Sequence, residues 1–271
     1  MENKTNYDIF LDYIPAFSIW YKALLVYFFF IIVFILIMFF FRWISSTIWI
    51  GAIIGQSIVS ALLSIYFIYI AKNGDKISER CREKYGDLAV QKYWFNYQFA
   101  TMPFISAAYY FPLLLYNYDF LPTITKMPSH LINSSIFPYF VAIPLGIFLV
   151  IFGFMMKRPS GGYGSDYDNY IYTIIPEKSR LITEGMYHFI RNPQYLSRGI
   201  IAMGFGVIAN NISAILVGLI HFISYCAIIP AEDDELLRRY GDEFRVYKNR
   251  VPALFPKYGN WKKLLKNVFS K

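Results

Sequence analysis

Five stretches of this chain contain no Lys, Arg, Asp or Glu: residues 23–41, 43–71, 93–118, 127–156 and 199–231. Each approaches or exceeds the ~20 residues an α-helix needs to cross ~30 Å of hydrocarbon. A soluble fold of 271 residues has no core large enough to hide all five. Composition agrees, with 56% hydrophobic and 16% charged residues, against ~25% charged for soluble domains. Backbone polar groups in hydrocarbon must be paired within their own segment, which selects helices. The expected fold class is therefore all-α: a polytopic integral membrane protein with four spanning helices, a C-terminal intramembrane helical hairpin and cytoplasmic interfacial helices. The first stretch is too long for a signal-peptide core, and no small-residue cleavage site precedes the second, so it is read as retained. Cys81 and Cys226 are too far apart in sequence for a CxxC pair and suggest neither a disulfide framework nor redox chemistry.

Net charge is +8, and its distribution sets the orientation. If the first four stretches each cross once and the fifth enters and returns, 24 of the 26 Lys and Arg residues fall on one side. Only Arg42 and Lys126 fall on the other. The basic side is expected to be cytoplasmic, with both termini there. Topology and attraction to anionic headgroups account for this charge, and nucleic acid is not expected as a partner.

Residues 1–156 read as a transmembrane scaffold, 157–256 as the region carrying the chemistry, and 257–271 as a basic interfacial tail. The charged segment 72–92 has the spacing of a solvated interfacial helix. An echo between Glu83-Lys84-Tyr85-Gly86-Asp87 and Arg238-Arg239-Tyr240-Gly241-Asp242 has no matching neighbours and does not define a repeat. The glycine-rich run 157–166 lacks both GxGxxG and a preceding strand, so it reads as a connector and not a phosphate cradle.

The fifth stretch sets the geometry. Its 33 residues are too many for one span and too few for two. Asn210-Asn211 near its middle favours a turn. The expected element, within 199–230, is a hairpin whose arms are 199–209 and 212–229. Such a hairpin returns Arg191-Asn192-Pro193-Gln194-Tyr195 and Glu232-Asp233-Asp234-Glu235 to the same membrane surface.

Each cluster also has a plain structural reading. Pro193 pushes Asn192 out of helical angles, so a turn presents Arg191, and with Tyr195 this is an interfacial anchor unless it binds an anion. Arg198 reads as a snorkelling anchor. The four acids follow Pro230 and fit the first turn of a new helix, where the macrodipole favours negative charge. Leu236, Leu237, Tyr240, Phe244, Tyr247 and Val251 then form the apolar face of a surface helix interrupted at Gly241. His130, His188 and His221 lack metal-ligand spacing, and His221 reads as a hydrogen-bonded packing residue. No Gly-x-Ser-x-Gly element points to a hydrolase.

The segment Leu181-Ile182-Thr183-Glu184-Gly185-Met186-Tyr187-His188-Phe189-Ile190-Arg191-Asn192-Pro193-Gln194-Tyr195-Leu196 resembles the L-V-T-x-G-x-Y-x-x-x-R-H-P-x-Y-x-G block of the isoprenylcysteine carboxyl methyltransferase family and its phospholipid methyltransferase relatives. Glu232-Asp233 through Leu236, Tyr240-Gly241, Phe244, Tyr247 and Val251-Pro252 resembles the closing block of that family. The resemblance covers about residues 180–257. It implies an integral membrane methyltransferase that uses S-adenosylmethionine as cofactor and takes a lipophilic, isoprenoid or phospholipid-like substrate from the bilayer. On this likeness Arg191 and Glu232 are the catalytic pair. Gly185, Tyr187, Arg191, Asn192, Pro193, Tyr195, Leu196, Glu232, Asp233 and Tyr247 are placed around the cofactor. Asn192 replaces the usual His, which is compatible with the phospholipid branch, and Ser197 replaces the usual Gly. Ala227 stands where carboxyl methyltransferases carry an Arg.

Methyl transfer from a cationic donor needs positioning more than acid–base chemistry, and no general base stands out here. Arg191 is expected to anchor the donor's carboxylate, and Glu232 its ammonium or ribose hydroxyls. Sterol reductases that use NADPH carry a similar R-H-P-x-Y and a similar ending. Hydride transfer is therefore a second reading, and a non-enzymatic lipid-binding protein a third.

Overall fold

The computed structural model describes residues 12–47, 50–116, 135–157, 174–175 and 180–269. His130 and the glycine-rich connector beyond Lys157 lie outside them. Among the described residues the chain is helical and contains no strand. Among the described residues, four helical stretches are long and apolar enough to cross a membrane. The multi-pass, all-α expectation is thus met.

Helix α1 (Trp20–Thr47) is almost wholly aromatic and aliphatic. It leaves Leu25, Phe28 and Phe39 more than half exposed, tolerable only against lipid. Helix α2 (Gly51–Tyr85) crosses and then continues as one rod through most of the charged segment. That segment is therefore not a separate interfacial helix, because Ile77 and Cys81 are buried on one side of the rod. After a short helix α3 (Ala89–Tyr93), a five-residue π-helical segment, Trp94–Gln98, and a 3-10 turn lead into α4 (Met102–Leu114). Helix α5 spans Tyr139–Lys157.

The expected hairpin is present, with longer arms than the apolar pattern indicates. Helix α6 runs Pro193–Ala209 and α7 runs Ile212–Tyr240. Helix α6 starts with Pro193, whose missing N–H costs nothing at the first helical position. Pro230 does not launch a new helix but lies inside α7, on its exposed side. The four acids are therefore far from the start of α7, out of reach of a dipole effect confined to the first turn. Something other than a helix terminus has to stabilise them.

The turn is built by the two asparagines. Asn210 adopts φ 60°, a left-handed conformation that Asn tolerates better than most residues. Its amide donates to the Phe137 carbonyl (2.8 Å) and accepts from the Phe137 N–H (3.0 Å). Asn211 caps α7 by accepting from Ala214 N–H (2.8 Å) and donates to the Leu115 carbonyl. Leu115 closes α4 and Phe137 precedes α5, so the hairpin reaches as deep as its neighbours. With α6 about 25 Å long, polar residues at both bases supply the length that the apolar run lacks.

Helix α6 packs along α5 and α7, and α7 along α2. The α5–α6 crossing is at backbone contact: a Cβ at Gly146 would stand 2.7 Å from the Gly204 carbonyl, and one at Gly153 2.9 Å from that of Ser197. Small residues replace the hydrophobic drive that lipid cannot supply. Phe41 and Phe111 stack at 4.1 Å between α1 and α4. Helices α2 and α7 both end at Tyr-Gly-Asp, with Gly86 and Gly241 at φ 51° and 55°. The sequence echo is thus one helix stop used twice, since only glycine adopts that backbone cheaply. Helix α8 (Asp242–Arg250) follows Gly241. The tail forms α9 (Trp261–Phe269), whose buried Leu264 and Val268 pack on Met156, Met186 and Leu196.

Replacing Asn210 tests the turn. Asn210→Gly keeps the left-handed backbone and loses two side-chain bonds, at about 1–3 kcal/mol. Asn210→Ala is expected to cost about 1 kcal/mol more, read as a lower thermal midpoint in detergent. Unfolding of both variants at the wild-type temperature would show that the tip does not anchor the hairpin.

Candidate functional site

The bases of α6 and α7 meet on the membrane face that bears the charged helix ends, and the chain after Gly241 folds back between them. The Arg191 N–H donates to the Pro252 carbonyl (2.8 Å) and the Asn192 N–H to that of Ala253 (2.9 Å). Asn192 Nδ2 also donates to Ala253 O (3.2 Å). The two motif blocks are therefore joined through their backbones. Tyr247 adds a third tie by donating to the Tyr187 carbonyl at 2.7 Å. Burial pushes the Tyr247 phenol up, so it stays protonated and keeps donating at neutral pH.

Arg191 sits at the centre of this junction. Its Nη2 donates to Asp233 Oδ2 at 2.7 Å, and its Nη1 donates to the carbonyls of Val251 (2.8 Å) and Lys248 (3.2 Å). Lys248 Nζ stands 3.1 Å from the same Asp233 oxygen. The Arg191 and Asp233 side chains are only 10% and 9% exposed, so the pair is buried and each charge depends on the other. Arg191 Nε is buried without a hydrogen-bond partner. Glu232, the adjacent acid, instead accepts a hydrogen bond from Tyr195 Oη. Glu235 pairs with Arg239 at 2.6 Å. Cations and a phenol, not a helix start, hold Glu232, Asp233 and Glu235.

These groups line a cavity of about 890 Å³. Tyr187, Arg191, Asn192, Pro193, Tyr195, Glu232, Asp233 and Tyr247 all contribute to its wall. Arg191 and Glu232 share it, as the hairpin reading requires. Two residues from the expected set do not line it. Leu196 is 5% exposed and packs against Met186 and Ile190 behind the wall. Gly185, at φ 60°, begins the turn Gly185–His188 that carries Tyr187. The other end of the cavity is apolar and aromatic, with Val26 and Phe30 of α1, Phe99, Tyr109 and Tyr110. The π-helical segment supplies Trp94 and Gln98 to this wall.

Two sequence expectations change. Arg198 is not a snorkelling anchor: it lines the cavity, with its guanidinium 5.5 Å from the centre of the Tyr225 ring. Its spacing from Gln194 and Tyr195, four and three residues, places all three on one helix face and was the signal for it. His221 is fully buried, but neither ring nitrogen has a hydrogen-bond partner. It packs edge-on against Tyr225 at 4.9 Å, so ring contacts hold it in place of hydrogen bonds. Among the described residues, no three His, Cys, Asp or Glu side chains gather as a metal site.

A bundle of apolar, span-length helices whose hairpin base joins charged residues and an aromatic wall in one cavity defines a multi-pass integral membrane protein. Residues 141–243, from α5 to the start of α8, match the model of the phospholipid methyltransferase family. The chain is 26% identical over 132 residues to the protein-S-isoprenylcysteine O-methyltransferase of Schizosaccharomyces pombe, covering 48% of this chain and 55% of that protein. It is 28% identical over 113 residues to protein-S-isoprenylcysteine O-methyltransferase B of Arabidopsis thaliana, 41% of this chain and 57% of the relative. It is 34% identical over 82 residues to a nickel-cobalt-cadmium resistance protein of Alcaligenes xylosoxydans xylosoxydans, 30% of this chain and 38% of the relative. The chain thus spans about half the length of the methyltransferases it matches. No solved structure matches it. The matched family model and the two isoprenylcysteine O-methyltransferases carry the names of methyltransferases and not of reductases.

Arg191→Ala is expected to cost about 3–5 kcal/mol, as for one half of a buried pair. The Arg191 and Asn192 amides should then exchange hydrogen faster as the 251–253 segment loosens. Arg191→Lys should restore only part of this, since an ammonium cannot match the guanidinium fork. Unchanged exchange in both variants would show that Arg191 does not hold the blocks together.

Proposed function

We propose that this protein is an S-adenosylmethionine-dependent methyltransferase acting on a lipophilic acceptor, with its polar pocket facing the cytoplasm. The observation that carries this reading is the junction itself. Both motif blocks line a single cavity whose wall also carries aromatic residues of α1 and α4.

The pocket's chemistry fits the donor. The donor combines a carboxylate, an ammonium, ribose hydroxyls and a sulfonium. Arg191 offers the buried, unpartnered Nε–H to a carboxylate. Asp233 is already neutralised by Arg191 and Lys248, which leaves Glu232 as the acid for an ammonium or ribose. Tyr195 orients Glu232 by donating to it. Asn192 and the rings of Tyr187 and Tyr247 complete the polar wall. When bound, the donor supplies an electrophilic methyl group, transferred as its carbon–sulfur bond breaks and a bond to the acceptor's nucleophilic atom forms. The residues' part is to bind, align and exclude water. The cytoplasmic orientation rests on the topology read from the sequence, which assigns 24 of the 26 Lys and Arg residues to the side of the hairpin bases.

S-adenosylhomocysteine is expected to raise the thermal midpoint of the purified protein, equivalent to about 2.7 kcal/mol at a hundredfold excess over Kd. NADPH should not. By calorimetry, Arg191→Ala and Glu232→Gln should each bind S-adenosylhomocysteine at least tenfold more weakly, consistent with the loss of a charge-assisted contact. Undiminished affinity in both overturns the assigned roles. Incubation with labelled donor and a total lipid extract should label a lipid species.

A further inference from the structure

Helix α9 has three faces. Leu264 and Val268 form one i, i+4 row, Trp261, Leu265 and Phe269 form the row beside it, and Lys262 and Lys266 form the next, with Lys263 beyond. The first row is buried in the cluster that contains Met156, Met186, Ile190 and Leu196. The second row is exposed, Phe269 by 55%, so protein covers one apolar row and leaves its neighbour bare. What the bare row borders is set by α5. The Phe269 ring lies 6.1 Å from that of Phe152, which stacks on Phe148 at 6.0 Å. Phe148 is itself exposed, on a helix apolar enough to span a membrane. The bare row of α9 therefore continues the lipid-facing surface of α5. Phe152 is about 8 Å from the charged end of α5, within the depth to which an interfacial helix buries its apolar face. At that level the lysine row adjoins the headgroups. Residues 257–271 hold five lysines and no Asp or Glu, so the complementary headgroup is anionic.

We propose that α9 docks on anionic lipid headgroups through Lys262, Lys263 and Lys266, and that this contact braces the cavity wall from behind. The brace follows from which residues share the cluster with Leu264 and Val268. Met186, Ile190 and Leu196 lie in it, and their sequence neighbours Tyr187, Arg191 and Tyr195 line the cavity. A leaflet that draws α9 onto the bundle stiffens all three positions, and one that releases it loosens them. The inference goes beyond the methyltransferase reading and does not need it.

The test places the full chain in nanodiscs of phosphatidylcholine alone, or with about a third of the lipid replaced by phosphatidylglycerol. Amide hydrogen exchange is followed in α9 and at Phe189, Ile190 and Arg191, whose N–H groups are hydrogen-bonded. In wild type, α9 is expected to exchange about tenfold or more slowly in the anionic discs, since each lysine at such a surface contributes about fivefold. Phe189, Ile190 and Arg191 should slow by about threefold as the local opening behind them is suppressed. Both differences should vanish at about 1 M salt, where the Debye length is ~3 Å. The variant carrying Lys262→Gln, Lys263→Gln and Lys266→Gln together should exchange alike in both discs. All three side chains are exposed, so the fold is kept. Equal exchange of wild type in the two discs overturns the proposal. So does a difference that survives in the triple variant, which places the anionic lipid elsewhere, as for a substrate in the cavity. Slowing confined to α9 overturns the brace.

Discussion

The contact between Arg191 and Asp233 is the one on which the other features of the site depend. Taken singly, a guanidinium and a carboxylate this buried would each carry a desolvation penalty of several kcal/mol. Together, with Lys248 and the carbonyls of Val251 and Lys248 also engaged, they fix the positions of three separated pieces of chain. The turn before α6, the inner part of α7 and the segment after α8 cannot move independently while that arrangement persists. The consequence is a division between neighbours that both line the cavity: Asp233 is held by two cations, and Glu232 has a phenol as its partner.

The hairpin is what makes the contact possible, and it is held from the far side of the membrane. Asn210 and Asn211 tie its tip to the ends of the flanking helices. Glycines let α5 and α6 approach to backbone distance. The polar bases and the polar tip are thus satisfied at both ends of a pair of helices whose middles are bare of charge.

Much of this was legible from the chain. Uncharged runs gave the spans, paired asparagines gave the turn, and the spacing of Arg191 and Glu232 about a hairpin gave the shared pocket. Helix ends were less legible. Hydropathy follows the solvent outside a helix, while α6 and α7 continue into polar residues because hydrogen bonds at the junction reward it. Pro230 read as a boundary since its missing N–H is harmless at a helix start, yet it is also tolerated inside α7. Arg198 was misjudged for a related reason: composition places an arginine near a membrane boundary, but only the rotation of α6 tells whether it faces lipid or cavity. The pairing of Arg191 with Asp233 instead of Glu232 is likewise a matter of helix rotation, invisible in two consecutive acids.

The cavity's two walls differ in construction. One is the hairpin, clamped at its tip, its middle and its base. The other includes the wide turn at Trp94–Gln98, where the rod between Ala89 and Leu114 accommodates a five-residue loop of π geometry. A helix with such an offset has slack in its winding, so the portion beyond it keeps its own phase. Insertion or deletion of a single residue there can be absorbed locally, reshaping the hydrocarbon-side partition while the opposite partition stays as it is.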